Sequence, residues 1–591
     1  MLVACAAIAL LSACGGGGSA GVSPIVAPPP APPPAPPPPP PPPTTNATLT
    51  DLQYSQTFAS DGATATASVD LGTKQTTSAT TALSSVTVSY DAPSKSYTIQ
   101  APGRSQTFGP ADLQASSDAD ESDYQKPQGS GRDYLTLAKT PFTSKTAPQY
   151  VGLGFWQRNS LSGSTQDTSF DIFAYGLATP ATAVPRTGAA VFGIDVFGFF
   201  VTPGISPKGV QGHGTFTADF LSGVFSTSTY LDEFDLTADK AMFGALQLDG
   251  SGLISSTDGT FSGDIAYRGF DASVGGKMNG HFYGPQAQEV GGSFAADNGK
   301  GSALTGAFTG SRDPNATPAN LALTNLVADQ NFFAQSALLD TNRIDGQPDK
   351  LNDASSTQAI GSLNIKTDGS IAYSPGRSDL PFTTFTAADK VASAPNWTTY
   401  RKTVNGQPVE LRLFTPGASN TQLALTYSSF GAFRTSEHNG VVGTDHDIYF
   451  VYGLETAQGL LSRRTGKAHY DGVLFGAGAN KQNSLLYDLS GTSLFDVDFS
   501  AQAFTGALAI LGSDRANGSK TDFGTFNFSG ALGYTKDTLS SLLQNGQSVG
   551  RMTTRFYGPT GEEIGGSFEA SSLRPDGSVT FLTGATIAKT H

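Results

Sequence analysis

The residues able to do chemistry in this chain are few and scattered. Six histidines stand at 213, 281, 438, 446, 469 and 591. None is spaced as the paired histidines of a zinc-binding helix require. The densest grouping is Asp445-His446-Asp447, whose counterpart in the first half of the chain, by sequence, is Ser169-Phe170-Asp171, so no ligand set recurs. The acidic run Asp118, Asp120, Glu121 and Asp123 lacks the Gly at the sixth position and the Glu at the twelfth that a calcium loop needs. The stretch 340–353 fails the same test, because its Gly falls one place late. No Gly-x-Ser-x-Gly elbow comes with a histidine and an acid in usable order. The expectation is no enzyme, no resident metal and no cofactor.

Both cysteines, Cys5 and Cys14, lie at the extreme N-terminus, so no disulfide or thiolate site can form further along. Residues 2–11 form an apolar run too short to span a bilayer, which takes about 20 residues. It reads as the apolar region of a secretory signal. Leu11, Ser12 and Ala13 before Cys14 look like a bacterial lipobox, which implies a signal peptide over 1–13, cleavage before Cys14 and acylation there. Several acyl chains hold a protein on a membrane where one would be marginal. Residue 15 is Gly and not Asp, which favours the outer membrane. Glycines at 15–18 and prolines through most of 28–43 follow, and such sequence extends as polyproline II. Residues 14–45 therefore read as anchor and stalk, a spacer of roughly 50 Å.

The remainder is glycine-rich, with 69 Gly, and only 14% of residues are charged. That balance suits short strands and turns more than helical bundles. A net charge of −14 argues against nucleic acid, which needs clustered Lys and Arg. Segments such as 85–91 and 96–102 alternate at period two, as half-buried strands do. The regular series 214–220, 244–250, 259–267, 278–284 and 291–296, with its Asp-Gly and Gly-rich turns, reads as hairpins of an up-and-down barrel. Residues 537–544 read as one short helix.

The strongest internal signal is a duplication. Phe282, Tyr283, Gly284 and Pro285, then Glu289, Gly291, Gly292 and Phe294, return as Phe556, Tyr557, Gly558 and Pro559, then Glu563, Gly565, Gly566 and Phe568. Collinear matches accompany them: 150–157 with 427–434, 171–177 with 447–454, 102–105 with 375–378, and 304–308 with 582–586. In each copy the Gly-Pro pair suits a turn, the double Gly allows a bulge or close backbone approach, and the Glu can accept backbone N–H groups within its own loop. A motif kept in both halves is structural in character. Trp156 matches Phe433 and reads as packing, whereas the unmatched Trp397 lies in a loop-like stretch and is a candidate ligand anchor.

On these motifs the body resembles the transferrin-binding protein B family. The resemblance implies an all-β fold of two duplicated lobes, each a β-rich handle followed by an eight-stranded antiparallel up-and-down barrel. The implied division is 46–186 first handle, 187–311 first barrel, 312–324 linker, 325–464 second handle and 465–591 second barrel. It further implies an outer-membrane, cell-surface lipoprotein that binds a protein or solute ligand, working beside a TonB-dependent receptor in iron-type acquisition. A structural or adhesive surface role is the alternative. By analogy with the family, the first lobe is expected to hold the ligand.

Overall fold

A computed structural model describes residues 45–129, 131–138, 148–344, 346–347, 350–533 and 536–590. These are almost wholly strands. Among the described residues the one α-helix is the short Gln458–Arg463, and two 3-10 turns occur at Pro110–Asp112 and Ala387–Asp389.

Each lobe opens with a sheet. In the first, Gln56–Asp70 pairs with Thr165–Gly176, and the sheet continues through Val151–Ser162 and Gly131–Ala138 to Glu121–Gln128. In the second, Gln330–Ile344 pairs with Val442–Gly453, followed by Ser428–Asn439, Gln407–Phe414 and Trp397–Val404. The same side-chain device starts both sheets. Asn46 accepts the N–H groups of Gln53 and Tyr54, and Asn320 those of Val327 and Ala328.

Each sheet leads into a closed barrel of eight antiparallel strands in sequence order. The first closes where Ala189–Val201 pairs with Ala303–Arg312, the second where Lys467–Asn480 pairs with Val579–Thr590. Closure leaves no free sheet edge. The interiors are filled. The Phe216 ring lies 4.9 Å from those of Phe225 and Phe261 and 6.0 Å from Phe308. In the second barrel Phe495 and Phe528 stand 5.3 Å apart among the buried Leu508, Ile510, Leu539 and Leu543. Outward positions such as Ser226, Ser228 and Asp232 are polar, the reverse of a barrel whose outer face meets lipid.

One local expectation is overturned. Residues 537–544 are mostly strand, Thr538–Asn545, paired with Ser548–Tyr557. Leu539 and Leu543 are buried in the barrel core, and the fifth place in the closed sheet overrides a short helical pattern. The acidic run divides too. Asp118 accepts the N–H groups of Asp120 and Glu121 in a turn, and Glu121 and Asp123 already belong to a strand.

Candidate functional site

The duplicated motif joins handle to barrel. Glu289 opens a barrel strand, and its carboxylate accepts the N–H groups of Gln149, Tyr150 and Val151, at 2.7, 2.8 and 2.9 Å. Glu563 accepts those of Thr426, Tyr427 and Ser428, at 2.6, 3.1 and 2.7 Å, and the Ser428 hydroxyl at 2.7 Å. The expectation that these carboxylates serve their own loops is corrected: every one of these donors belongs to the handle. Burial pushes both carboxyls up, and the amide donors hold them back.

The rest of the motif serves the same contact. Gly284 and Gly558 have φ of +82° and +94°, a region open to Gly. A Cβ on either would lie 2.6 Å from the ring of Tyr150 or Tyr427. A Cβ on Gly291 or Gly565 would meet Val151 or Val451 of the handle at 2.8 or 2.9 Å. Thr179 and Thr456 complete the seam by donating to the carbonyls of Gly284 and Gly558. Phe282, Phe294, Phe556 and Phe568 are buried in the barrels; Tyr283 and Tyr557 are buried against the handles. Pro285 and Pro559 follow the glycines in the turns.

Further along the seam the lobes part company. In the first, Phe170 of the handle stacks on Phe199 of the barrel at 4.0 Å, and Phe155 packs on Phe197 at 5.1 Å. The strand pairs Gln157 with Phe170 and Arg434 with Asp447 are equivalent, so Asp447 occupies the place of Phe170. Matching the Asp-Ile dipeptides by sequence had set Asp447 against Asp171. The register corrects that by one residue, which changes the face of the sheet. Ala432 and Ala477 stand where Phe155 and Phe199 do.

The second lobe fills this end with charge. Asp447, 5% exposed, lies 2.6 Å from Arg434 Nε and 2.8 Å from Arg515 Nη1. Asp488 bridges the same two guanidinium groups at 2.8 and 2.9 Å. Arg434 and Asp447 are handle residues; Arg515 and Asp488 belong to the barrel. Beside them opens a cleft of about 900 Å³, lined by Arg343, Leu351, Val409, Leu486 and Arg515 among others.

The second lobe also places aromatic rings in this seam. Trp397 begins a strand, is half-buried, and packs at 5.3–5.4 Å on Phe414 and Phe430 of the handle and Phe475 of the barrel. Its expected placement as a loop-borne anchor is thus corrected, because these three rings draw it into the seam. Trp156 is fully buried with Arg104 stacked 4.1 Å above it.

His446 donates through Nδ1 to the Asp340 carboxylate at 2.7 Å, and in the first lobe a different histidine–carboxylate contact joins His281 and Asp61, also 2.7 Å apart. Asp61 lies on the handle and His281 on the barrel. Burial pushes the His281 ring down, but the Asp61 carboxylate outweighs it and holds the pKa above its ordinary value. A raised histidine contributes stability that is full below about pH 6.5 and is lost as pH rises through the folded value. The urea midpoint of the first lobe is therefore expected to fall between pH 6.5 and 8.5 in the native chain and to stay flatter in His281→Gln. Parallel curves for the two proteins would refute it.

Among the described residues no group of three or more His, Cys, Asp or Glu side chains is placed to hold a metal. Leu11, Ser12, Ala13 and Cys14 lie outside the described residues.

The comparisons with known proteins fall on this architecture. The family model described as "C-lobe and N-lobe beta barrels of Tf-binding protein B" matches residues 211–312 and 464–587. A transferrin-binding protein B of Moraxella catarrhalis is 26% identical over 337 residues, 53% of this chain, and the match spans 42% of that relative's length. A crystal structure of transferrin-binding protein B from Haemophilus parasuis, a double mutant, is 17% identical, covering 77% of this chain and 85% of that one, with a TM-score of 0.26. The isotype 1 protein of Neisseria meningitidis is 16% identical, covering 81% and 90%, with a TM-score of 0.24. These TM-scores are low, and the likeness rests instead on the barrels and their sequences. In its two barrels this chain is similar to the N-lobe and C-lobe barrels of Tf-binding protein B, over residues 211–312 and 464–587.

Proposed function

We propose that this chain is a surface lipoprotein of the outer membrane that captures a protein ligand, as co-receptor in nutrient acquisition of the iron type. Acyl chains on Cys14 as the anchor and a TonB-dependent receptor as neighbour belong to the same proposal. The observation that carries it is the filling of both barrels by their own aromatic and aliphatic side chains. A barrel filled in this way cannot hold a small ligand in its lumen, so recognition falls to the outer surface.

The first barrel offers a suitable surface. At the end that carries its turns 236–239 and 269–272, Phe243 is 80% exposed and Phe270 47%. Beneath them Lys208 is buried against Glu233 at 2.8 Å and against Asp271. Glu233 also accepts the hydroxyl of Tyr267 at 2.9 Å and the N–H of Phe270 at 3.2 Å. Exposed aromatics on a rigid base are what protein partners use as anchors. The family named for transferrin supports a protein ligand without identifying it.

The test is capture. The unlipidated chain, made with Cys14→Ser, would be used as bait against solubilised outer membranes and growth medium. Recovery of one stoichiometric protein is expected, and Phe243→Asp should weaken its binding by roughly tenfold or more. Recovery of nothing at micromolar bait would refute tight capture and favour a structural or adhesive role.

A further inference from the structure

The cleft in the second lobe is not explained by capture on the first barrel. It opens beside the ion network, where Asp447 stands in the place that Phe170 holds in the first lobe. The ion network ties handle to barrel but leaves about 900 Å³ beside it, within the range of small-molecule sites.

The wall has two characters. Five of its side chains are Arg or Lys against four Asp or Glu, in a chain whose net charge is −14. Part of the lining is aliphatic, with Leu351, Val409, Leu485 and Leu486. Arg515, which holds Asp447 and Asp488 through Nη1 and Nε, keeps Nη2 buried with no hydrogen-bond partner. A guanidinium is a permanent cation and only a donor, so the missing partner is an acceptor, best an anionic one. Buried donors are rarely left unmatched.

We propose that this cleft binds a small amphipathic oxyanion, its carboxylate or phosphate group against Arg515 and its apolar part along Leu351 and Leu486. The site is separate from the protein-capture surface and stands whether or not that reading holds. The ligand's chemistry is shared by a fatty acid and an alkyl phosphate, and the headgroup separates them.

The test is isothermal titration calorimetry on the full chain carrying Cys14→Ser, so that no acyl chain of its own competes. The probes are octanoate, octyl phosphate and inorganic phosphate. One saturable site for octanoate or octyl phosphate is expected, and the tighter of the two names the headgroup. Arg515→Gln should weaken it by roughly tenfold or more. Leu486→Trp, which fills the cleft and leaves the ion network in place, should abolish binding without lowering the melting temperature. If no octyl probe saturates at millimolar concentration, or Leu486→Trp binds like the native chain, the proposal fails. Inorganic phosphate binding as tightly as octyl phosphate would overturn its apolar half.

Discussion

Glu563→Ala is expected to lower the stability of the second lobe by about 4 kcal/mol. Its carboxylate is the acceptor for three backbone N–H groups and one hydroxyl of the handle, in a residue only 3% exposed. Truncation leaves those donors buried with nothing to accept them, and each orphaned donor costs about 1–3 kcal/mol. The total falls short of the sum because water can enter the vacated volume. Glu563→Gln keeps one acceptor but turns an NH₂ towards amide donors, so an effect of about half is expected. Glu289→Ala should act in the same direction on the first lobe and less strongly, since no hydroxyl joins its three amides. Urea unfolding gives the midpoint, and hydrogen exchange gives the local answer. In Glu563→Ala the amides of Thr426, Tyr427 and Ser428 should lose protection first. Protected amides with an unchanged midpoint would show that the clamp holds nothing.

The second large effect is expected at Asp447. Its carboxylate is buried between Arg434 and Arg515, and Asp447→Ala leaves two guanidinium groups facing each other across the seam. Removing one partner of a buried ion cluster costs about 3–5 kcal/mol. Asp488, which also touches both arginines, softens the loss, so the lower half of that range is expected. Asp447→Asn keeps the shape and one acceptor and should cost less. The native carboxyl is favoured by desolvation towards its neutral form, yet the two arginines win and hold it below the usual carboxylate range. Its contribution is therefore full above about pH 4 and is lost as pH falls through the depressed value. Acid should loosen this seam in the native chain and leave Asp447→Ala comparatively insensitive. The stacked Phe170 and Phe199 of the first lobe have no such titration. Denaturant midpoints measured from pH 3 to 6 distinguish the two, and equal acid slopes for native chain and variant would count against the assignment.

The two effects show which parts of the molecule could be read in advance. The copies of Phe-Tyr-Gly-Pro and Gly-Gly-Ser-Phe announced two lobes and a structural role for Glu289 and Glu563. They did not say what those carboxylates hold, because Glu289 and Tyr150 are 139 residues apart and nothing local links them. The turn glycines and alternating segments foretold hairpins, but Thr538–Asn545 reads locally as helix and becomes strand only because a closed sheet needs it. Trp397 has no partner in its own neighbourhood of sequence; Phe430 and Phe475 come to it from two other elements.

By itself, then, the amino-acid sequence determined the duplication, the strand-and-turn grammar and the barrel-bearing lobes. Those are carried by short-range signals: period-two alternation, glycine where φ must be positive, and motifs repeated at matching positions. Only the tertiary structure decided that Asp447 replaces Phe170 and that a charged cleft opens beside it in the second lobe. Strand register set that outcome, because a shift of one residue moves a side chain to the opposite face of the sheet, and no local feature of the chain records which face meets the barrel.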